Sequence, residues 1–447
     1  MSIKQLTDKK RLILGLGQTG LSVARFLKKA GQFFNVMDTR KEVPGIEELD
    51  QFAAESYLEW QPELFVNYDE LVVSPGISIN QPDIQTAAEQ GVAIVGDIEL
   101  FAQVNTAKVV AITGSNGKST VTDLVANAIS ATGFSAVAAG NFGFPALETL
   151  GQKCDYVVLE LSSFQLETTD SLNSEVATIL NISEDHLDRY DSYQDYINAK
   201  KCIYLNAKKR LFNVDDENTF ANSEADKNVS FGLKSSKISP DYCLDLDRKV
   251  LSKSEQEILP IEDLQLQGTH NALNALAALA LVEQSGIEIN DKVISAVKKY
   301  RGLEHRCELV FKTENVSYIN DSKATNVGAT IAALTSFAPL FENIILIAGG
   351  DAKGVDLSSL KNSLKTTVNS VVVFGKDANK IAELSKEKSH VVENMAQALA
   401  KAKQIIESKS LNQVLVLLSP ACASLDQYKN YQERGNEFSK LARAQAC

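Results

Sequence analysis

The stretch VVAITGSNGKST, residues 109–120, is a short apolar run that enters a glycine-rich loop and ends Gly117-Lys118-Ser119-Thr120. Read as strand, loop and helix start, it is a cradle for phosphate. Backbone N–H groups around Gly114, Ser115, Asn116 and Gly117 can point at anionic oxygens, because glycine puts no side chain in the way. Lys118 would reach the outer phosphates and the Ser119 hydroxyl would hold Mg²⁺. A helix beginning near Thr120 would add its positive dipole end at the same place. Ile112 stands where the longer GxxxxGK[ST] pattern has its first glycine, so the loop is the shorter TGxxGK[ST] form. The competing explanation is a glycine turn with a chance lysine.

The same rhythm of short apolar runs and helical stretches recurs on both sides. RLILGLG (11–17), FFNVMD (33–38) and LVVSPG (71–76) read as strands, with helices over 21–31 and 82–91. SAVAAGN (135–141), YVVLELSS (156–163) and EVATILNIS (175–183) continue the pattern around the glycine-rich loop. VSYIND (316–321), NIILIAGG (343–350), SVVVFG (370–375) and VLVLLSP (414–420) form a third set. This alternation predicts parallel sheets covered by helices, and three α/β domains. Residues 215–262 are polar, and NVSFGL (228–233) and DYCLDLD (241–247) suggest hairpins or a small antiparallel patch. NALNALAALALVEQSG (271–286) is a helix closed by glycine.

A chain of 447 residues with a net charge of −12 has no global positive field with which to hold nucleic acid. Anionic ligands must be met by local loops and helix ends. The six cysteines lack CxxC or metal-ligand spacing and read as reduced thiols of a cytoplasmic protein. No apolar run approaches the ~18 residues of a membrane span. Lys9, Lys10 and Arg11 before LILGLG imitate a signal peptide, but Gln18, Thr19 and Arg25 interrupt the apolar run.

Three clusters carry candidate chemistry. GLGQTG (15–20) fits GxGxxG, and Asp38 closes the next strand, which describes a pyrophosphate seat for a dinucleotide or a nucleoside-diphosphate sugar. Ser74-Pro75-Gly76 would face the same crevice. In the middle of the chain, Glu160 ends a strand where it could share the metal met by Ser119, and His186 follows another strand end. Lys200 shares a helical stripe with Tyr196, Ile203 and Tyr204, so it points inward, either snorkelling to solvent or doing chemistry. Near the C-terminus, Asp321, Lys323, Thr325 and Asn326, then Lys353, then Ser424, lie at three strand ends. They fit a small acidic substrate or solvated loops.

Taken in order, these segments resemble the Mur ligase family of peptidoglycan precursor synthesis. The resemblance covers essentially the whole chain. It rests on GLGQTGLS, TGSNGKST, LELSSFQLE, NISEDHLDRY, INAKK, GTHNALNALAA, EHR, INDSKATN, GGDAKG and LSPACASLDQYKNYQERGNEF. The last motif points to a member that adds D-glutamate, and the DNPR-type motif of diaminopimelate-adding relatives is absent.

The resemblance implies an α/β fold of three domains. They are a Rossmann-like N-terminal domain (1–96) for a UDP-linked substrate, a P-loop ATPase-like central domain with a small antiparallel patch (97–302), and a Rossmann-like C-terminal domain (303–447) for the amino acid. Gln18, Thr19, Asp38, Thr39, Arg40 and Ser74–Gly76 would seat the UDP part, and Asn141 would touch the substrate. Lys118, Ser119 and Thr120 would bind ATP and Mg²⁺ with Glu160. His186 and a carbamoylated Lys200 would serve a second Mg²⁺. Asn271, Arg306, Asp321 and Lys323 would complete the ATP site, and Thr325, Lys353, Ser424, Leu425 and Tyr431 would hold D-glutamate. Tyr431 stands where the family has phenylalanine. The His186–Lys200 spacing is one residue shorter than the family's, which makes Lys201 an outside candidate. The implied reaction is amide formation between UDP-N-acetylmuramoyl-L-alanine and D-glutamate, driven by ATP, in a monomeric bacterial enzyme that closes about a hinge near 300–306. An NAD-dependent oxidoreductase, a noncatalytic nucleotide-dependent scaffold and an amide ligase for another amino acid or a folate are the competing readings.

Overall fold

The run Arg11–Leu14 is buried on both faces, because it is the central strand of a five-stranded parallel sheet in the computed structural model. Residues 6–40, 49, 55–183, 189–221, 228–266 and 268–444 are described. They fall into two compact units, Met1–Ile261 with Asn274–Val297, and Glu262–Leu273 with Lys298–Cys447.

The first unit carries two sheets. One contains β1 (Arg11–Leu14), β2 (Phe34–Met37), β3 (Ser56–Tyr57), β4 (Glu70–Val73) and β5 (Ala93–Val95), in the order β3-β2-β1-β4-β5. All its pairings are parallel. Alternate residues feed two apolar layers: Leu12, Leu14, Leu71 and Val73 pack with Phe65 and Ile84, while Ile13, Val36 and Val72 pack with Val23 and Leu27. Burial on both faces explains why these strands read as unbroken apolar runs. The chain leaves β1 for β2 on one side and places β4 on the other, so the ends of β1, β2 and β4 open a crevice at this switch point.

The second sheet contains β6 (Lys108–Thr113), β7 (Ala136–Gly140), β8 (Tyr156–Glu160), β9 (Ser174–Ile179), β10 (Ala207–Asn213), β11 (Asn228–Leu233), β12 (Tyr242–Asp245), β13 (Val250–Lys253) and β14 (Gln256–Pro260). Their order is β14-β13-β12-β11-β10-β9-β6-β8-β7, with β6 between β9 and β8. The helix Lys118–Ala131 starts directly after Gly117, two residues before the expected start near Thr120.

The antiparallel patch differs in part from the sequence expectation. The runs 228–233 and 241–247 do not form a hairpin, because β11 and β12 pair in parallel. Asp241 closes their short connection by accepting from the Ser230 N–H and hydroxyl, both at 2.8 Å. The antiparallel pairs are β12–β13 and β13–β14. Ser254 and Glu255, both at positive φ, turn the latter. Such a turn favours Asn-Gly or Asp-Gly, so Ser-Glu gave no signal.

The second unit holds β15 (Glu308–Lys312), β16 (Val316–Asn320), β17 (Asn343–Gly349), β18 (Ser370–Phe374), β19 (Ser389–Val391) and β20 (Val414–Leu418), ordered β15-β16-β20-β17-β18-β19. All pair in parallel except the edge strand β15. Ile344, Leu346 and Ala348 face Leu334, Phe337 and Leu360, whereas Ile345 and Ile347 face Leu399 and Phe438. Among the described residues, no helix is long and apolar enough to cross a membrane.

Candidate active site

The turn after β1 is shaped by glycine. Gly15 sits at φ +85°, and a Cβ on Gly20 would lie 2.0 Å from the Gly15 carbonyl oxygen, so only glycine lets the helix Gln18–Lys29 start this close to the strand. Asp38, just past β2, accepts from the Leu16 N–H at 2.8 Å and from the Arg40 Nη2 and Nε at 2.7 and 2.9 Å. The Arg40 guanidinium holds the Asp38 carboxyl down at about 2 despite its burial. Ser74, past β4, donates to the Gly15 carbonyl at 2.7 Å. Three strand ends are thereby tied together. They border a cleft of about 690 Å³ that Gln18, Thr19, Asp38, Thr39, Arg40, Ser74, Gly76 and Asn141 all line. Trp60, Asp97 and Gln165 line it too and were not found from sequence. Only the chain's single tryptophan offered a signal there.

The loop after β6 is held in left-handed backbone by Gly117 at φ +82°, where a Cβ would come 2.6 Å from Asn274 Oδ1. Asn181 splints the loop. Its carbonyl accepts from Ser115 N–H at 2.8 Å, and its side chain accepts from Asn116 N–H at 2.8 Å and donates to the Asn116 carbonyl at 3.1 Å. Sequence reading passed over Asn181 inside NISEDH. Lys118 Nζ donates to the carbonyls of Gly114 and Ser115 at 2.7 and 2.9 Å. Ser119 and Thr120 are buried in the first helical turn.

Parallel pairing of Ile112 with Glu160 brings that carboxylate beside the loop. One Glu160 oxygen accepts from Asn141 Nδ2 at 2.7 Å, while Oε2 is buried and has no hydrogen-bond partner among the described residues. Lys200, on the helix Tyr193–Lys201, points inward as the stripe predicts. Its Nζ is 3.1 Å from the Gly114 carbonyl, 3.5 Å from Thr113 Oγ1 and 4.7 Å from the Tyr196 ring centre. Lys200 is 2% exposed, whereas Lys201 is half-buried. His186 lies outside the described residues. Lys118 and Lys200 line a second cleft of about 390 Å³, which shares Pro75, Gly76 and Asn141 with the first.

In the second unit, Asp321 follows β16 and is buried. It accepts from Ser419 Oγ at 2.9 Å and from Cys307 N–H at 3.2 Å, and burial pushes its carboxyl up to about 7. Arg306 is close enough for its charge to oppose that shift. Lys323 Nζ lies 4.3 Å from the ring centre of Tyr431, whose edge meets His305. Thr325, half-buried, lies on the loop after β16. Lys353, on the loop after β17, is exposed at φ +51°. Ser424 is buried and Leu425 is 61% exposed on the loop after β20. A bridge between Asp351 and Ala423 joins those two loops. Asn271 is buried near the start of the helix Thr269–Gln284, away from these loops in sequence.

Sequence reasoning also missed Arg434. It is fully buried, donating to the Ser322 hydroxyl and carbonyl at 3.0 and 2.9 Å and to the Cys422 carbonyl at 3.1 Å. It therefore pins the loops after β16 and β20 from beneath, and burial pulls its guanidinium down to about 10. A single arginine in QERGNEF gave no hint of this.

Three family profiles match the chain in succession. They are the Mur ligase MurD-like N-terminal domain over residues 9–96, the Mur ligase middle domain over 112–282, and the Mur ligase glutamate ligase domain over 305–422. The chain belongs to the Mur ligase family. Among curated proteins, this Mur ligase is 43% identical to the UDP-N-acetylmuramoylalanine–D-glutamate ligase of Pseudoalteromonas translucida, across 99% of each chain. It is 44% identical to the protein of the same name from Shewanella violacea, across 98% of this chain and 96% of the other. Among solved structures, the UDP-N-acetylmuramate-alanine ligase MurC of Thermotoga maritima shares the fold at 20% identity and a TM-score of 0.58, over 98% of this chain and all of the other. A pseudomurein peptide ligase type C from Methanothermus fervidus does so at 18% identity and a TM-score of 0.59, over 98% of this chain and 100% of that one.

Proposed function

We propose that this Mur ligase joins D-glutamate to UDP-N-acetylmuramoyl-L-alanine, using ATP and releasing ADP and phosphate, in peptidoglycan precursor synthesis. The observation that carries the reading is the pair of joined clefts in the first unit. One is framed by the GLGQTG turn and the other by Lys118 and Lys200, and they share Pro75, Gly76 and Asn141. A long substrate with a nucleotide at one end and a carboxylate at the other suits that shape. The full-length relatives, which bear the D-glutamate ligase name, give the substrates their identity.

A carboxylate and an amine do not condense at neutral pH unless the carboxylate is activated. In this reading the terminal alanine carboxylate takes the γ-phosphoryl of ATP, becoming an acyl phosphate. The neutral amine of D-glutamate then attacks and phosphate leaves. Lys118 would exchange its two loop carbonyls for phosphate oxygens and follow the charge that moves with the phosphoryl group. The N–H groups of the Gly114–Thr120 loop would hold the remaining oxygens.

A buried carboxylate oxygen with no hydrogen-bond partner among the described residues, at the end of the strand paired with the one that enters the Gly114–Thr120 loop, suits a hard cation that keeps much of its water. Ser119 and Glu160 would hold one Mg²⁺, and His186 with a carbamoylated Lys200 a second. Bound Mg²⁺ would offset the repulsion between the two anionic reactants. Carbamoylation joins CO₂ to the neutral Lys200 amine with loss of one proton, turning a cation into a carboxylate-like ligand. Lys200→Ala should then regain activity with added short-chain carboxylates, and absence of rescue with wild-type-like metal binding would count against the carbamate. Gln18, Thr19, Asp38, Thr39, Arg40 and Ser74–Gly76 would seat the UDP part, and Asn141 would contact the substrate. Asn271, Arg306, Asp321 and Lys323 would serve ATP, and Thr325, Lys353, Ser424, Leu425 and Tyr431 would serve D-glutamate. The corresponding division of labour is 1–96, 97–302 and 303–447, in a monomer of the bacterial cytoplasm.

The deciding experiment is amino-acid-dependent phosphate release from ATP with UDP-N-acetylmuramoyl-L-alanine and Mg²⁺. Release is expected with D-glutamate and not with L-glutamate, L-alanine or glycine. Release with another amine would keep the ligase chemistry and overturn the acceptor, and none with any amine would overturn the function.

A further inference from the structure

We propose that Arg189 recognises the carboxylate end of the sugar-linked substrate while holding the Ser74–Ile77 loop against the second cleft. The inference rests on the substrate proposed above. In a chain of net charge −12, the second cleft is lined, among the described residues, by Lys118, Lys200 and Arg189 and by no Asp or Glu. If Lys200 carries a carbamate, Lys118 and Arg189 are the lining's remaining side-chain cations.

The Arg189 guanidinium is fixed from two directions. Its carbon lies 4.0 Å from the centre of the Phe164 ring, and Nη2 donates to the Ile77 carbonyl at 2.6 Å. Ile77 closes a turn onto Ser74, whose hydroxyl reaches the Gly15 carbonyl, so one arginine connects the nucleotide turn with the reaction cleft. Among the described residues, Nε is buried with no hydrogen-bond partner. A charged donor left without an acceptor is costly, and an incoming anionic oxygen removes that cost. Glu167, near enough for its charge to feel Arg189, is not part of the lining.

The planar fork suits a carboxylate, and stacking on Phe164 sets its plane before the ligand arrives. The diphosphate of the substrate belongs to the GLGQTG turn and that of ATP to the Gly114–Thr120 loop. The acceptor carboxylate is the anion left for the cleft beside Pro75, Gly76 and Asn141.

The test is calorimetric binding of three probes, UDP, UDP-N-acetylmuramoyl-L-alanine and its terminal carboxamide, to the wild type, Arg189→Met and Arg189→Lys. Arg189→Met should weaken the carboxylate form about 10- to 100-fold, the range expected for a hydrogen bond to a charged group. Its affinities for the carboxamide and for UDP should fall only by the smaller, shared factor that loosening the Ser74–Ile77 loop costs, so the wild-type preference for the carboxylate disappears. Arg189→Lys should fall between. Equal weakening of all three probes would reduce Arg189 to a loop fastener, and preserved discrimination would place the carboxylate elsewhere. Either result overturns the proposal. A wild type that binds UDP but not the alanine-bearing substrate would overturn the proposed function, and this inference with it.

Discussion

Asp321 and Asp38 are both buried aspartates at strand ends, and their neighbours push them in opposite directions. Asp38 faces a guanidinium and stays ionised, with its carboxyl at about 2. Asp321 has hydroxyl and N–H donors, but desolvation wins and raises it to about 7. Between pH 4 and 7 the folded chain therefore holds a proton at Asp321 that the unfolded chain has lost. Stability from this group is complete below about pH 4 and falls as pH rises through 7, by at most about 1.4 kcal/mol per pH unit. Asp321→Asn should remove that slope, so its stability relative to wild type should improve from pH 5 to pH 8 in urea melts. At the phosphate loop, Lys118→Ala should lower turnover by about 10²–10³ or more, as loss of a fixed charge at a developing anion does. Full phosphate release by that variant would sink the assignment.

Short elements with strong caps set the site's geometry. The helix Ser163–Leu166 has only four residues, too few to persist on its own propensity. A capping box secures it, with the Ser162 hydroxyl accepting from the Gln165 N–H and the Gln165 side chain accepting from the Ser162 N–H, each at 3.2 Å. Gln165 Nε2 also reaches Asp97 at 3.3 Å, which ties this turn to the wall of the first cleft. Ser162→Ala should cost about 1 kcal/mol, measured as a shift in the denaturation midpoint. Because Phe164 supports Arg189, the variant should also weaken binding of the alanine-bearing substrate more than that of UDP. The helix Tyr193–Lys201 is N-capped by Ser192, whose hydroxyl accepts from the Asp195 N–H at 3.2 Å. That cap fixes the phase in which Lys200 faces the loop.

The proposed function distributes the ligands over two units and assigns the UDP-linked substrate to the clefts, whose described lining belongs to the first unit. UDP at about 100 times its dissociation constant should add about 2.7 kcal/mol to whatever unit binds it. Hydrogen exchange should therefore slow across β1, β2 and β4 and their following turns, with β15–β20 unchanged. Protection of the second unit's strands instead would move the nucleotide site. Trp60, the chain's single tryptophan, lines the same cleft, so its fluorescence should report the titration.

Much of this was legible in the linear chain because the signals are local. A β-rich run followed by glycines and a lysine dictates strand, turn and helix within a dozen residues, so the phosphate loop, the GLGQTG turn and the three mostly parallel sheets could be read directly. Lys200 was legible through helical period alone, since Tyr196 and Tyr204 mark its face. Tertiary structure decided what depends on distant partners. Asn181 splints a loop 65 positions away. Arg434 reaches Ser322 across 112 positions. Arg189 reaches Ile77 across the same separation, 112 positions. The parallel pairing of β11 with β12 was hidden as well, because a short run of alternating residues serves either direction until its neighbours choose. Periodicity and turn chemistry are properties of neighbouring residues, whereas satisfying a buried guanidinium or carboxylate requires groups that only the folded chain brings together.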